Sequence, residues 1–186
     1  MIDRDTCVKS CYVIPGQTWP QELCWLYDRL AASKHHAEVG VWCGRSLFAA
    51  CGGMQVATVY AVDIDQPGVG AALPDASWVQ AVLSATIAAI EARGTVTVKP
   101  LMIGSLDAAR SLYRAEVVLD SVFIDGSHHY ADVVADIEEW LPLVKSGGLI
   151  CGHDYSTAFP GVMDAVNYLL PGFEVVPNTR IWWMTK

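Results

Sequence analysis

Four apolar runs recur down the chain with little polar interruption: VATVYAVDI (56–64), TVTVKPLMI (95–103), DSVFID (120–125) and GGLICGHD (147–154). A strand with one face in water alternates apolar and polar residues. A run that is apolar on both sides of the pleat needs cover on both faces, as in a parallel sheet. The segments between the runs carry the helical period instead. Trp78, Val79, Val82, Leu83, Ile87 and Ile90 share one stripe, which predicts a helix over 78–90. Val133, Val134, Ile137, Trp140, Leu141 and Val144 share another over 133–144, opposite Asp132, Asp136, Glu138 and Glu139. Pro142 and Gly147-Gly148 stop that helix and start the next strand.

Alternating strands and helices imply right-handed crossovers and a doubly wound α/β sheet. Ligands in such a sheet bind at the carboxyl ends of the strands, near the point where strand order reverses. The C-terminus departs from this rhythm. FEVV (173–176) and RIWWMT (180–185) are separated by three residues, too few for a helical crossover, so they pair antiparallel. With 186 residues, one domain over 19–186 is expected, preceded by a peripheral segment, 1–18.

Composition narrows the partners. An apolar share of 53% against 17% charged excludes disorder, and a net charge of −8 without any basic stripe argues against nucleic acid. The N-terminus lacks the long apolar core of a signal peptide, and no run reaches eighteen apolar residues, so no membrane partner is expected. Six cysteines without a C-x-x-C pair suit reduced, mostly buried thiols in a cytoplasmic protein. Cys7 and Cys11 have the spacing that opens a radical-cluster motif, but Ile14 stands where its third cysteine belongs.

Between the first strand and its helix lies EVGVWCGRS (38–46), a turn built for close approach of the backbone. Gly40 and Gly44 are four apart, which is not the G-x-G-x-x-G of a dinucleotide turn, and no Gly-Lys-Ser/Thr follows to make a phosphate loop. The glycines can also merely permit close helix–strand packing, and Asp63 and Asp65 can be solvated loop acids, but the ligand-binding reading is favoured over both. Trp42, Trp182 and Trp183 read as core or contact aromatics.

The Glu38–Ser46 stretch resembles motif I of the class I S-adenosylmethionine-dependent methyltransferases. FIDGSHHYADVVADIEEWLPLVKSGGLICGHDY (123–155) is similar to the branch related to catechol and antibiotic-sugar O-methyltransferases, where Asp-Gly-x-His-x-Tyr precedes a helix and a Gly-Gly strand ends in acids or His-Asp-Tyr. The resemblance spans about residues 20–186 and implies a Rossmann-like methyltransferase fold. Such a fold has a mostly parallel seven-stranded sheet with helices on both faces and an antiparallel C-terminal pair. It further implies S-adenosylmethionine as cofactor, bound by Glu38, Gly40, Gly44, Ser46, Asp63, Ile64, Gly104, Ser105 and Asp125. Glu38 would meet the ammonium and Asp63 the ribose hydroxyls. Ile64, Gly104 and Ser105 would border the adenine, with Asp125 nearest the transferred methyl.

Methyl transfer from a sulfonium is an in-line displacement and needs an aligned, deprotonated nucleophile in a dry pocket. Metal-dependent relatives hold a divalent cation with strand-end carboxylates, and Asp125, His153 and Asp154 match those positions. His153 in place of an acid, and Ser127 in place of another, weaken a magnesium site and favour softer metals such as manganese, iron or zinc. A metal-free alternative uses His128 or His153 as general base, so Asp125, His128 and His153 are the candidate catalytic residues. The expected function is methyl transfer to a small-molecule hydroxyl. A hydroxylase-like relative, a non-catalytic cofactor-binding module and a dehydrogenase are the alternatives. Loops 1–18, 65–75 and 155–161 would shape the acceptor site, and the sequence leaves acceptor and oligomeric state open.

Overall fold

A computed structural model describes residues 2–64 and 75–186. Two helices, α1 (Arg4–Cys11) and α2 (Pro20–Arg29), precede β1 (His35–Val39), α3 (Arg45–Gly53), β2 (Ala57–Asp63), α4 (Ala76–Glu91) and β3 (Val96–Met102). There follow α5 (Ser105–Arg114), β4 (Leu119–Ile124), α6 (Tyr130–Trp140), β5 (Val144–Gly152), α7 (Pro160–Leu169), β6 (Glu174–Val175) and β7 (Trp182–Thr185). The strands form one sheet in the order β3-β2-β1-β4-β5-β7-β6. All pairings from β3 to β5 are parallel, and β7 runs antiparallel to both β5 and β6.

The period of the pleat sorts the core into two layers. Val59, Ala61, Val98 and Phe123 pack under α1 to α4, while Tyr60, Val62, Val122 and Ile124 pack under α5 to α7. The helix expected to reach 144 ends at Trp140. Residues 141–143 tighten into a 3-10 turn around Pro142, and Val144 already opens β5. Proline at 142 cannot donate to the ladder and clashes with the preceding turn, which explains the early stop. Segment 1–18, expected at the periphery, contributes the fully buried Cys7 and Cys11, and Tyr27 Oη donates to the Ile2 carbonyl at 2.6 Å. All six thiols are unbridged. Among the described residues no helix is long and apolar enough to cross a membrane.

His36, on β1, is fully buried against Ser121, with 2.8 Å between Nδ1 and Oγ, and its Nε2 has no hydrogen-bond partner among the described residues. Burial holds its pKa down at about 4, so the folded chain keeps it neutral. Because the folded pKa lies below the unfolded one, the unfolded state takes up the proton first as pH falls. Stability is therefore lost below about 6.5, by about 2 kcal/mol between pH 7 and pH 5. Glu38, whose pKa burial raises to about 8, changes stability in the opposite sense over that range. The expected result is thus a difference: His36→Gln loses less stability than wild type between pH 7 and 5 in urea melts. Parallel pH profiles would show that His36 is not buried neutral.

Candidate active site

The order of strands reverses between β1 and β4, and the chemistry-bearing residues collect at the carboxyl ends there. β1 leads into a turn whose residues Gly40, Trp42 and Gly44 all have positive φ, at 84°, 44° and 86°. The turn is tied to β2 through Gly40 N–H donating to the Val62 carbonyl (2.9 Å) and Trp42 N–H to Asp63 Oδ2 (2.6 Å). The space around the glycines is filled by protein. A Cβ on Gly40 would collide with the backbone of Asp125 and Gly126, and one on Gly44 would lie 3.0 Å from Thr86 Cγ2. Both glycines therefore have a packing reason to be glycine, in addition to their φ.

Glu38 is wholly buried beneath this turn. Its Oε1 accepts from Ser46 Oγ at 2.7 Å, and its Oε2 has no hydrogen-bond partner among the described residues. Burial, with the charges of Asp125 and Asp63 adding to it against the Ser46 hydrogen bond, raises its pKa to about 8. At the end of β2, Asp63 opens onto a hollow of about 300 Å³ shared with Trp42, Ile64, Val79, Leu83 and Met102. Burial raises the Asp63 pKa, opposed by the Trp42 and Ile64 amides that its carboxylate accepts.

A second hollow, about 220 Å³, lies at the ends of β4 and β5, lined by Asp125, Ser127, His128, His153, Asp154 and Trp182. Asp125, His153 and Asp154 each bring one donor atom into a group within 4.8 Å of one another. His153 Nδ1 is 3.2 Å from Asp154 Oδ1 and 3.6 Å from Asp125 Oδ1. Asp154 adopts φ 61°, a left-handed backbone that a non-glycine residue holds only where its surroundings enforce it. His128 Nε2 meets Asp154 Oδ2 at 2.7 Å, with the Phe159 ring 4.2 Å from the imidazole centre.

Two residues of this site escaped sequence reasoning. Glu22, wholly buried on α2, lies 3.1 Å from His153 Nε2, bent away from a straight hydrogen bond. Arg180 reaches Asp154 Oδ1 at 3.4 Å and stacks over Trp19, 4.8 Å from its ring centre. The local signal for Glu22 was there to read. Proline at the first helical position and glutamate at the third mark a helix start, and Glu22 Oε2 accepts from Trp19 N–H at 2.7 Å. Burial opposes charge on His153, but hydrogen bonding to Asp154 and Glu22 and the field of Asp125 outweigh it, pushing its pKa up to about 10. Burial, with Asp154 and Glu22 adding to it against His153, pushes Asp125 up to about 7.

Of the residues expected to bind cofactor, Glu38, Gly40, Gly44, Ser46, Asp63, Ile64 and Asp125 gather around the turn and the two hollows. Ser105 points elsewhere: it donates to Asp136 Oδ1 and accepts from Trp140 Nε1 at 2.8 Å, a bond internal to the α5–α6 layer. Gly104, just before it, has open space where a side chain would be. Of the loop 65–75, only Asp75 lies within the described residues, where it caps α4 by accepting from Ser77 N–H.

The doubly wound sheet with its antiparallel C-terminal pair has the fold of solved O-methyltransferases. The O-methyltransferase of Bacillus cereus, solved with S-adenosylhomocysteine, superposes with a TM-score of 0.69 at 14% identity, covering 100% of this chain and 93% of that one. A cofactor-bound protein from MTB gives 0.68 at 16% identity, with 98% and 87% covered. The TDP-rhamnose 3′-O-methyltransferase of calicheamicin biosynthesis gives 0.62 at 15% identity, with 89% and 79% covered. No curated protein sequence matches the chain. The family described as a methyltransferase domain matches residues 37–155, well over half the chain, and the chain belongs to that methyltransferase family.

Proposed function

We propose that the chain transfers a methyl group from S-adenosylmethionine to a hydroxyl oxygen of a small molecule, within a single domain over 19–186 whose core the segment 1–18 completes with Cys7 and Cys11. The observation that carries this is the pairing of two hollows on either side of the Gly40–Gly44 turn, one opening on Asp63 and the other on Asp125, His153 and Asp154. Asp63 has the place and the acceptor atoms to take the ribose hydroxyls, and Ile64 is exposed beside it for the adenine. The buried, unpartnered Glu38 Oε2 is an atom that a ligand ammonium, directly or through water, would satisfy. A small-molecule acceptor and a cytoplasmic location agree with the net charge of −8 and the unbridged thiols.

Calorimetry tests the donor. S-adenosylmethionine and S-adenosylhomocysteine are expected to bind and NAD is not. Asp63→Ala should weaken the donor roughly 10- to 100-fold, the loss of charge-assisted hydrogen bonds worth about 1.5–3 kcal/mol. An unchanged affinity in a variant that still melts cooperatively removes Asp63 from the site. Tight binding with no turnover against any hydroxyl compound points to a non-catalytic binding module instead.

A divalent cation fits the donor set of two carboxylates and one imidazole, and Asp125, His153 and Asp154 would hold it. Bound there, it would supply Lewis acidity that lowers the pKa of the acceptor hydroxyl. The chain's own groups supply orientation and proton movement. Asp154 Oδ2 faces His128 Nε2, so the proton rests on Nε2 and the Nδ1 lone pair is free to take a proton from the acceptor, in the manner of a carboxylate–histidine pair.

A metal-free version has its own support: an imidazolium at His153 already neutralises the carboxylates around it. A protonated ring cannot act as base, so in that version the role falls to His128. Chelation separates the two. Activity that disappears with EDTA and returns with manganese is the result expected of the metal centre. Activity that survives EDTA and dies in His128→Ala establishes the histidine base.

A further inference from the structure

We propose that Glu22, from a helix outside the sheet, fixes which nitrogen His153 offers to a divalent cation, and thereby tunes the centre toward manganese, iron(II) or zinc over magnesium. This rests on the metal-assisted reading above and concerns a residue that reading does not use.

Glu22 is held still by the backbone at both ends of the chain. Its carboxylate is wholly buried and accepts two backbone amides, Trp19 N–H at Oε2 (2.7 Å) and Arg180 N–H at Oε1 (3.0 Å). One amide precedes α2, and the other belongs to the turn before β7. Neither can drift without moving a secondary-structure element. The third contact of the carboxylate is His153 Nε2, at 3.1 Å from Oε1.

The histidine is pinned as firmly. Its N–H donates to the Ile124 carbonyl at 3.0 Å, and its own carbonyl accepts from Trp182 Nε1 at 3.2 Å. With backbone and ring both enclosed, the imidazole presents one edge to Glu22 and the other to Asp125 and Asp154. The contact is bent away from a straight hydrogen bond, yet a carboxylate with no proton to give favours the proton on Nε2. When a cation displaces the second ring proton, Nδ1 is the nitrogen left with the lone pair, and it is the one 3.2 Å from Asp154 Oδ1 and 3.6 Å from Asp125 Oδ1.

A carboxylate behind a ligating imidazole fixes its tautomer and raises its basicity. Removing such a partner typically costs 10- to 100-fold in metal affinity. A nitrogen donor made more basic in this way favours transition metals over magnesium, which prefers oxygen and keeps its water. Glu22 would thus be a positioning residue that offsets the loss of the acid position occupied by His153.

The test titrates the full-length protein with Mn²⁺ and with Mg²⁺ by calorimetry, in wild type, E22Q and H153A, alongside S-adenosylmethionine. Expected are one Mn²⁺ site that binds more tightly than Mg²⁺, a 10- to 100-fold weaker Mn²⁺ site in E22Q, and an S-adenosylmethionine affinity that E22Q leaves unchanged. Because Glu22 is buried, wild type supplies a second readout: ¹⁵N spectra of the histidine rings after loading with Zn²⁺. These should show His153 metallated at Nδ1 and protonated at Nε2. The reverse assignment overturns the proposal, as does wild-type Mn²⁺ affinity in a folded E22Q, or an absence of Mn²⁺ binding at millimolar concentration. Failure of wild type to bind S-adenosylmethionine would instead overturn the methyl-donor reading, leaving the metal titrations to decide the role of Glu22.

Discussion

Gly40→Ala is expected to fold poorly or not at all, losing more than about 4 kcal/mol of stability. Gly40 has φ 84°, where an L-residue costs about 1–2 kcal/mol before any contact is considered. The added Cβ would also sit inside the Asp125 carbonyl and only 2.6 Å from its carbonyl carbon and 2.8 Å from Gly126 Cα. Those are backbone atoms of the β4 end, held in place by Asp125 N–H donating to Val39 O at 2.8 Å, so they cannot yield as a side chain would. Gly44→Ala provides the comparison. Its Cβ would meet only the side chains of Thr86 and Leu83, at 3.0 and 3.2 Å, so it should melt cooperatively with a loss of about 1–3 kcal/mol. Denaturant melts of the two variants decide the matter, and equal losses would mean that the strand ends are not in this contact.

Asp125→Asn is expected to abolish methyl transfer, by at least about 100-fold, without lowering the melting temperature. Asparagine has the same shape but is a poor cation ligand, so the metal-assisted account predicts the loss, whereas the His128 account does not require it. Stability should move the other way. Burial raises the Asp125 pKa to about 7, so its ionised form is held against its preference. A carboxyl with a raised folded pKa costs stability as pH climbs from its unfolded value through 7, and asparagine removes that cost. Thermal melts at pH 7.5, with single-turnover assays once an acceptor is in hand, give both numbers. A large drop in melting temperature would recast Asp125 as a structural residue.

The sheet was legible because its central strands are covered on both faces, so each appears as an apolar run whatever its neighbours are. The runs at 56–64, 95–103 and 120–125 match β2, β3 and β4 to within a residue or so. The α6 boundary was harder to see, since Leu141 and Leu143 continue an apolar spacing that a proline converts to a 3-10 turn. Asp63, Asp125, His153 and Asp154 could be placed because the ends of strands in such a sheet converge by topology alone. Glu22 and Arg180 could not, because what assigns them to the site is a partner from the opposite end of the chain. The partners of Ser105 were hidden for a related reason: a serine at a helix start carries no local sign that its hydroxyl is engaged by Asp136 and Trp140, more than thirty residues on.

The bond from Arg180 N–H to Glu22 spans 158 positions of the chain, and the entropy of closing so long a loop has to be met before it forms. Contacts between β1, β2 and β3 close over loops of a few tens of residues, whereas this one waits for both ends of the polypeptide. A chain with its central strands formed but its first helices and last hairpin undocked would therefore carry most of the sheet and an unfinished corner around His153. Any ligand that needs Glu22, His153 and Asp154 together binds only the completed fold, and so selects against every intermediate that precedes it.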